Sequence, residues 1–504
     1  MERILFSDAV QAADQAAVER GIPSLVLMER AAISVVHFLD HHRGRYDVKH
    51  VLAVCGPGNN GGDGAAIVRI LRERGLEAKV LLIGDDSRLS MQMRQQLAIL
   101  EALPGESVIR AGDCTDGELD SLFSQATLFA DALFGIGLRR EVTGTFADMI
   151  GRMNQSPAPV IAVDMPSGIH TDTGEVCGTA VRADATVTFT CAKPGLYLYP
   201  GASYAGEIHI RPVGIAMPPE RDFHRELGRL TDEDLAGLKE RDESGNKGTF
   251  GKLLVIAGNE EISGAAYLCA CAALRAGAGM VRIYTEERNR QILGTLLPEA
   301  LFTTYRTGSW SPDGLIRAME WADGAIAGPG LGTGETSSRI LKTFLETNKK
   351  PAVLDADALN LLSAMQRVPA IKYPCVMTPH VGEMSRLTGI SPEDIKAHLV
   401  SIAANVSAES GAAVLLKDAR SAISCPDGSC WINTSGNSAL STAGSGDVLA
   451  GLAGALLLRE KTLPYPAVVI AAYIHGRCGE LAALKRSRAS VIASDLTEEF
   501  CHFL

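Results

Sequence analysis

Short apolar segments alternate with longer amphipathic segments through the first half of the chain. HVLAVC at 50–55 precedes the loop GPGNNGGDG and then AAIVRILRERG, whose apolar positions recur at helical spacing. Similar apolar runs, each ending near small or acidic residues, lie at 78–84, 126–135 and 159–168. Strands that alternate with helices in this way predict a parallel sheet covered by helices on both faces.

The predicted strands end in polar residues. In open parallel sheets, ligands bind at the carboxyl ends of the strands. The polar residues at those ends are Asn59, Asn60, Asp63, Asp131, Asp164 and Ser167. The first half of the chain therefore predicts a ligand site at one edge of its sheet.

The alternating pattern breaks between 215 and 245, where the sequence is charged and contains Pro218 and Pro219. This stretch predicts a surface connection that carries one short helix. A second series of strands and helices then starts with GKLLVIAG at 251–258 and continues to GAAVLLKDARSAI. Since the two halves share no sequence repeat, we predict two different α/β domains.

Composition narrows the class of protein. A chain of 504 residues exceeds one ordinary domain, and 46% hydrophobic residues with 51 glycines and 22 prolines are typical of a turn-rich α/β protein. A net charge of −11, with 5% aromatic residues and no basic cluster interleaved with aromatics, argues against nucleic-acid and anionic-membrane partners. We therefore expect an enzyme or a small-ligand binder.

The same composition bears on location. The N-terminus lacks the apolar core of a signal peptide, and the run around Val448–Leu458 is too short and glycine-broken for a membrane span. The eleven cysteines show neither C-x-x-C nor zinc spacing. We expect a cytoplasmic protein with reduced cysteines, of which Cys269 and Cys271 lie in an alanine-rich, core-forming helix.

The stretch STAGSGDVLAGLAGALL at 441–457 places one carboxylate, Asp447, where glycines meet an apolar helix. Aspartate is a common helix N-cap, so capping is one interpretation. Capping does not require glycine on both sides of Ser445, however, whereas close approach of a phosphate to a helix N-terminus does. The pattern favours phosphate chemistry, with Asp447 as a base or a cation partner.

The loop GPGNNGGDG at 56–64 does not have the G-x-G-x-x-G spacing of a dinucleotide fingerprint. A tight turn capped by Asp63 would explain part of it. Five glycines in nine residues exceed the needs of a turn and favour a phosphate or ribose contact. Downstream, Asp131 is an N-cap or a site residue, and Arg139 and Arg140 lie on a solvated face or close over an anionic ligand.

VDMPSG at 163–168 ends a hydrophobic strand with a carboxylate and a hydroxyl. Asp164 either caps the following segment or is a candidate acid/base residue. Ser167 lacks the G-x-S-x-G elbow of a hydrolase. The oxygen-rich set Asn60, Asp131 and Ser167 suits a hard cation better than zinc.

In the second half, loops with polar residues again follow apolar strands. His380 in TPHVGEM lies on a loop, which weakens its interpretation as a core histidine. Lys417 in LLKDARSA is either exposed or a phosphate ligand. Asp357 in DADALN precedes a leucine-rich helix and predicts an N-cap.

Several ordered motifs carry a family resemblance over nearly the whole chain. LMERAA, GPGNNGGDG, DALFGIGL and VDMPSG resemble NAD(P)H-hydrate epimerases; KGTFGKLLVIAG, SGAAYL, ALRAGAG, GPGLG, DADALN, TPHVGEM and STAGSGDVLAG resemble ADP-dependent (S)-NAD(P)H-hydrate dehydratases. The chain thus resembles the bacterial bifunctional NAD(P)H-hydrate repair enzymes. The resemblance implies a Rossmann-like parallel-sheet epimerase domain at 1–217 and a ribokinase-like α/β dehydratase domain at 225–504.

The resemblance also implies the sites of the epimerase domain. Asp164 and two loops would bind the hydrated nucleotide, and a potassium ion would bind to Asn60, Asp131 and Ser167. The loop residues are Asn59, Asn60, Gly61, Gly62 and Asp63, and Gly135, Ile136, Gly137, Leu138, Arg139, Arg140 and Glu141.

In the dehydratase domain the resemblance implies that Ala265, Gly330, His380 and Asp447 contact the S hydrate. ADP, with Mg²⁺, would bind Lys417, Asp418, Ala419, Arg420, Ser421 and Gly446. Relatives usually have glycine at the position of Asp418 and threonine at that of Ser421. A homo-oligomer is expected, with neither nucleic acid nor membrane as a partner.

The implied chemistry gives Asp447 a role. Phosphorylation of the C6 hydroxyl of hydrated NADH makes a good leaving group, and Asp447 would take the hydroxyl proton while the N–H groups around Gly444–Gly446 stabilise the phosphoryl charge. Two alternatives are a small-molecule kinase that releases a phosphorylated product, and a regulatory nucleotide-binding protein without catalysis.

Overall fold

The computed structural model describes residues 1–217, 226–236, 238, 243–365, 370–459, 463 and 465–504. They divide into two compact units, one formed by Arg3–Glu226 and one by Leu227–Leu504 together with Met1–Glu2. Pro218, Pro219 and residue 225, which figured in the predicted connection, lie outside the described residues.

The first part of the chain alternates strands and helices. The strands are β1 (Glu2–Leu5), β2 (His50–Cys55), β3 (Glu77–Leu82), β4 (Val108–Arg110), β5 (Leu128–Ala132), β6 (Val160–Val163), β7 (Ala185–Phe189) and β8 (Glu207–Arg211). The helices are α1 (Ser7–Glu19), α2 (Ser24–His41), α3 (Asn59–Glu73), α4 (Met91–Glu101), α5 (Asp116–Gln125), α6 (Thr145–Gln155) and α7 (Pro194–Tyr197).

Seven strands form a wholly parallel sheet in the order β4-β3-β2-β5-β6-β7-β8. Strand β2 is apolar at every position after His50 because both faces of the sheet are covered. Val51 and Ala53 pack into one core cluster, while Leu52 and Val54 pack into the other. The strand order reverses between β2 and β5, which is where doubly wound sheets bind ligands. The predicted Rossmann-like parallel sheet is confirmed.

The second part contains β9 (Glu226–Arg229), β10 (Lys252–Ile256), β11 (Met280–Glu286), β12 (Leu301–Tyr305), β13 (Gly324–Ala327), β14 (Ala352–Leu354), β15 (Cys375–Met377), β16 (Ala413–Leu416), β17 (Ser421–Ser424) and β18 (Cys430–Asn433). Its helices begin with the expected short one, α8 (Asp232–Leu235), followed by α9 (Gly264–Arg275), α10 (Asn289–Leu296), α11 (Asp313–Trp321), α12 (Glu335–Thr347) and α13 (Asp357–Ala364). The remaining helices are α14 (Val381–Thr388), α15 (Pro392–Ala397), α16 (Leu399–Ser410), α17 (Ser445–Leu457), α18 (Ala467–Lys485) and α19 (Ala493–Glu498).

These strands lie in the order β9-β18-β17-β16-β15-β14-β13-β10-β11-β12. The pairs from β16 to β12 are parallel, whereas β17 pairs antiparallel with both β16 and β18. The predicted α/β class is therefore confirmed for this unit as well. The stretch GAAVLLKDARSAI, predicted to contain a strand that ends near Lys417 and is followed by a loop, is a hairpin in which β17 returns antiparallel to β16.

Helix α17 is buried along its length because small residues let it approach its neighbours closely. A Cβ atom at Gly451 would lie 2.2 Å from the carbonyl oxygen of Cys269 in α9. Cys269 is fully buried at this contact, as its alanine-rich context predicted, and Cys271 is half-buried.

Helix α18 is long and apolar enough to cross a membrane by length and composition, and it is longer than the apolar run noted around Val448–Leu458. In the folded unit, however, 72% of its apolar window is buried. Core helices of globular domains pass the same test, so this helix is weak evidence for a membrane span.

Candidate functional site

A cavity of about 830 Å³ in the N-terminal unit is lined by residues that follow β2, β5 and β6. Most of the residues predicted for this site line it: Asn59, Asn60, Asp63, Gly135, Ile136, Gly137, Leu138, Arg139, Arg140 and Asp164. Gly61, Gly62, Asp131, Ser167 and Glu141 are not among the lining residues. Glu141 instead packs against Gly178.

The glycines of GPGNNGGDG have a packing role that the sequence did not reveal. Helix α3 begins at Asn59, inside the motif. A Cβ atom at Gly61 would lie 1.9 Å from the carbonyl oxygen of Gly56, and one at Gly64 would lie 2.6 Å from the Cys55 sulfur. The interpretation of Asp63 as the cap of this turn is wrong, because the N-cap is Gly58 and Asp63 lies within α3.

Asp131 and Ser167 are bonded to each other in the interior. Both are fully buried, and the Ser167 hydroxyl and backbone N–H donate to the Asp131 carboxylate at 2.6 and 2.7 Å. Burial raises the pKa of Asp131 to about 6, although the hydrogen bonds from Ser167 oppose the shift. The N-cap interpretation of Asp131 is wrong, since the residue lies within β5.

Asn60 lies beside the loop that follows β5. Its side chain is 3.3 Å from the position that a Cβ atom would take at Gly135, a few residues beyond Asp131. The Nδ2 atom of Asn60 is buried without a hydrogen-bond partner among the described residues. An amide rotated by 180° would present its oxygen in that place, because the two ends of an amide have nearly the same shape.

Asp164 directly follows β6 and has a φ of +68°, an uncommon value for a residue with a side chain. Between β6 and β7, where every residue is described, there is no helix for it to cap. Its Oδ1 accepts hydrogen bonds from the Thr188 hydroxyl at 3.0 Å and from Nζ of Lys193 at 2.5 Å. Asp164 is therefore held as one half of an ion pair.

Lys193 is a site residue that the sequence analysis missed. Its side chain is 1% exposed, and Nζ also donates to the Thr188 hydroxyl and to the carbonyl of Phe189. A buried lysine is rare without a carboxylate partner. The surrounding CAKPG carries no motif, so the sequence held no signal for this role.

Two further carboxyl groups line the same cavity. Burial and the nearby Asp164 raise the pKa of Asp14 to about 6, and Lys193 lowers it. Burial, followed by the charges of Asp164 and Asp14, raises the pKa of Asp63 well above its usual range. Three carboxyl groups thus share one cavity with a single buried lysine, and perturbed groups of this kind cluster at functional sites.

In the C-terminal unit, helix α17 begins after Gly444, whose φ of +88° explains the need for glycine there. The N-cap is Gly444, and Asp447 lies in the first turn, so the capping interpretation of Asp447 is wrong. No hydrogen bond to the Asp447 carboxylate occurs within the described ranges. Burial and the charge of Asp355 raise its pKa to about 7, against the effect of Lys417.

Lys417 lies at the end of β16, and its Nζ donates to Oδ1 of the buried Asp355 at 3.0 Å. A Cβ atom placed on Gly446 would be 3.4 Å from the same Nζ. Burial opposes ionisation of Lys417, but Asp355 and other carboxylates raise its pKa. The structure thus brings Lys417, Gly446 and Asp447 together, and adds Asp355, which the motif DADALN contained without an assigned role.

His380 lies outside the core, which agrees with the prediction from its position on a loop. Its Nδ1 accepts hydrogen bonds from the backbone N–H groups of Gly382 and Glu383, so it is the N-cap of α14. Its backbone forms a bridge with Lys417. Burial lowers the pKa of His380, which favours the neutral ring that capping requires.

Ala265 and Gly330 also meet, since a Cβ atom at Gly330 would be 3.0 Å from that of Ala265. Asp357 is not the N-cap predicted for it, because the N-cap of α13 is Ala356. The Asp357 carboxylate instead accepts the N–H of Gly332 at 2.8 Å.

The remaining predicted nucleotide residues lie at the hairpin between β16 and β17. Asp418 and Ala419 are exposed, Arg420 donates to the carbonyl of Thr434, and Ser421 is the first residue of β17. These residues follow Lys417 directly, so the hairpin adjoins the start of α17.

Comparison with known proteins matches both units. A family model described as NAD(P)H-hydrate dehydratase matches residues 253–501, and one described as YjeF-related protein N-terminus matches residues 24–195. The "Bifunctional NAD(P)H-hydrate repair enzyme Nnr" of Moorella thermoacetica is 36% identical over 96% of this chain and 93% of its own length. The Escherichia coli protein of the same name is 34% identical over 89% of this chain and 84% of its own.

Two solved structures resemble the C-terminal unit. One is the ADP/ATP-dependent NAD(P)H-hydrate dehydratase of Bacillus subtilis co-crystallised with ATP/Mg²⁺, with 32% identity, a TM-score of 0.48, and coverage of 54% of this chain and 95% of that one. The other is a ribokinase-like superfamily protein of Enterococcus faecalis, with 27% identity, a TM-score of 0.49, and coverage of 55% and 95%.

Proposed function

This chain belongs to the family of bifunctional NAD(P)H-hydrate repair enzymes, and we propose that it restores hydrated NADH and NADPH in two reactions. The N-terminal unit interconverts the R and S hydrates. The C-terminal unit dehydrates the S form to NAD(P)H and consumes ADP, giving AMP and phosphate. The observation that carries the proposal is Asp447, a carboxylate with a raised pKa at the glycine-rich start of α17, beside Lys417.

The raised pKa of Asp447 suits a general base at neutral pH. Asp447 takes the proton of the C6 hydroxyl while the hydroxyl oxygen forms a bond to the terminal phosphorus of ADP and AMP leaves. The ring nitrogen then expels phosphate from C6, and loss of the C5 proton forms the double bond of NADH. Backbone N–H groups at Gly444–Gly446 and the ammonium of Lys417 stabilise the phosphoryl charge.

ADP brings a divalent cation with it in this proposal. Mg²⁺ in nucleotide sites is held mainly by phosphates and one or two carboxylates, and its chemistry is to neutralise phosphoryl charge. The described part of the chain contains no cluster of three or more histidine, cysteine, aspartate or glutamate residues able to form a metal cage.

The residues of the N-terminal unit fit a potassium ion. Asp131 is a fully buried carboxylate that forms no ion pair with any residue that the structure describes. The buried Asn60 amide has an unpaired end, and Ser167 supplies a hydroxyl oxygen. Asn60, Asp131 and Ser167 would hold the ion, whose charge would compensate the buried carboxylate and order the loop that follows β5.

One assay tests both reactions. Mixed R and S hydrates are incubated with ADP or ATP, and absorbance at the reduced-nicotinamide band is followed. We expect complete recovery of NAD(P)H with release of free phosphate. A stable phosphoester product would instead indicate a small-molecule kinase, and the absence of turnover would indicate a nucleotide-binding protein without catalysis.

A further inference from the structure

The cavity of the N-terminal unit has a wall that no motif predicted. Helix α1 borders it, and Asp14 on that helix lines the cavity together with Asp164. Asp14 precedes residue 24, where the match to the N-terminal family model begins. The two carboxyl groups are close enough that the charge of Asp164 acts on Asp14.

The two carboxyl groups have different surroundings. Asp164 is paired with Lys193 at 2.5 Å and accepts further hydrogen bonds from Thr188 and the N–H of Phe189. Asp14 is half-buried and has neither a hydrogen bond nor an ion pair with any residue that the structure describes. An unpaired carboxyl group beside a negative charge, such as Asp14, retains its proton to higher pH. Environments that differ in this way separate an acid from a base.

A polar atom without a partner suits a polar ligand in this cavity. Thr190 lines the cavity, and its Oγ1 atom is buried without a partner among the described residues. An unsatisfied buried polar atom costs about 1–3 kcal/mol. Thr190 also has a φ of +66°, so its backbone conformation is held by the surrounding structure.

We propose that Asp14 is a second catalytic residue of the N-terminal site and forms an acid–base pair with Asp164 during epimerisation. The inference rests on the proposed function of this unit. It assigns the proton donor to a residue other than Asp164, the acid/base candidate that the sequence offered for this site.

The reaction balances without a further reactant. The carbon that carries the hydroxyl, C6, is also bonded to the ring nitrogen. Asp164 takes the hydroxyl proton, the C6–O bond becomes a carbonyl, and the C6–N bond breaks with its electron pair going to nitrogen, which takes a proton from Asp14. Rotation about the C5–C6 bond presents the other face of the aldehyde. The reverse proton transfers close the ring with C6 inverted and restore both carboxyl groups.

The full-length protein provides an internal control for the test. With mixed hydrates and excess ADP, the S form is consumed in a fast phase and the R form at the rate of epimerisation. Asp14→Asn is expected to slow the second phase at least about a hundredfold and to leave the rate and amplitude of the first phase unchanged. Asp14→Glu should recover part of the rate, because it keeps an ionisable carboxyl group.

Glu19→Gln is the matched control variant. Glu19 is exposed on the same helix, accepts a hydrogen bond from Gln15 that glutamine can also accept, and does not line the cavity. Its slow phase should equal that of the wild type. If Asp14→Asn also equals the wild type, the role of Asp14 is refuted while epimerisation stands. If the wild type converts R hydrate no faster than the spontaneous reaction, the proposed function of this unit fails, and the inference fails with it.

The pH dependence distinguishes a proton donor from a merely structural residue. The charged or titratable groups that face Asp14 or share its cavity are Asp63, Asp164, Lys193, Cys191, Arg139 and Arg140. Since Asp14 must be protonated to donate, wild-type kcat/KM for R-hydrate conversion should fall as the pH rises above about 6. The fall should be absent from the residual activity of Asp14→Asn. If the residual activity of Asp14→Asn falls with pH in the same way, the inference is refuted. If that variant does not fold, a wild-type kcat/KM that does not fall above about pH 6 refutes it instead.

Discussion

Nζ of Lys417 donates a hydrogen bond to Oδ1 of Asp355 at 3.0 Å, across the carboxyl ends of β16 and β14. The same oxygen accepts the Thr378 hydroxyl at 2.6 Å. Burial and the negative charge of Asp355 raise the pKa of Asp447, whereas the positive charge of Lys417 lowers it. The Lys417–Asp355 pair therefore helps to determine the pH at which Asp447 becomes a base.

Asp447→Asn should give a folded protein that binds ADP and hydrate but dehydrates at least about a hundredfold more slowly. Asparagine has nearly the same shape but cannot take the hydroxyl proton. Since Asp447 is not the helix cap, the melting temperature should hardly change. Glu335→Gln, in the exposed first turn of α12, is the control and should keep full turnover. Near-normal turnover of Asp447→Asn would require another base.

Dehydration of the S hydrate should depend on pH as expected for a base that must lose its proton. Below about pH 7, kcat/KM should fall about tenfold per pH unit, because the fraction of ionised Asp447 falls by that factor, and it should level off above. A profile that is flat down to pH 5 would contradict this assignment.

Asp355→Asn should move the midpoint of that profile to lower pH. The substitution removes a negative charge that raises the pKa of Asp447 and leaves the opposing charge of Lys417 in place. The amide oxygen can still accept the Thr378 hydroxyl, which limits structural damage. Steady-state kinetics across the pH range would measure the shift, and a midpoint that moves upward would show that Asp355 does not act through its charge.

Asp131→Ala should weaken epimerisation and leave the dehydration of pure S hydrate intact. The substitution removes the charged potassium ligand. It also leaves the Ser167 hydroxyl and N–H without an acceptor, which lowers the free energy of unfolding by about 1–3 kcal/mol. Asp131→Asn keeps an acceptor for Ser167 and separates loss of the ion from loss of the fold. Replacement of K⁺ by Na⁺ should change the epimerisation rate of the wild type. The same replacement should change the rate of Asp131→Asn much less. Equal loss of both activities would indicate misfolding, and unchanged epimerisation would remove Asp131 from the site.

A fragment spanning residues 225–504 should consume S hydrate and leave R hydrate to its spontaneous conversion. The fragment lacks the Met1 amino group and Glu2, which pair with Asp234 and Arg229 in the C-terminal unit. Ion pairs near a surface are worth about 0–1 kcal/mol each, so the fragment should still fold. Full conversion of an R-enriched sample, faster than the spontaneous rate, would show that the division of labour is wrong.

Local pattern was sufficient for the strands and for the loops that follow them. HVLAVC is apolar on both faces of a sheet, and the structure contains that strand at His50–Cys55. The hairpin of β16 and β17 escaped prediction because a buried antiparallel strand has the same apolar run as a parallel one. Asp63, Asp131 and Asp357 were each interpreted as possible helix caps. A carboxylate before a predicted helix gives the same sequence pattern whether it caps the helix, accepts a hydrogen bond from another part of the chain or faces a ligand.

The sequence by itself determined the α/β class, the loops at the strand ends and the family, because hydrophobic periodicity and ordered motifs are properties of neighbouring residues. Only the tertiary structure decided that Asp14, Asp164 and Lys193 share one cavity, and that Lys417 pairs with Asp355. Those groups are far apart in the chain, and the path of the chain through each sheet brings them together. Their burial and mutual charge, which alter the pKa of Asp14 and Asp447, exist in the folded state alone.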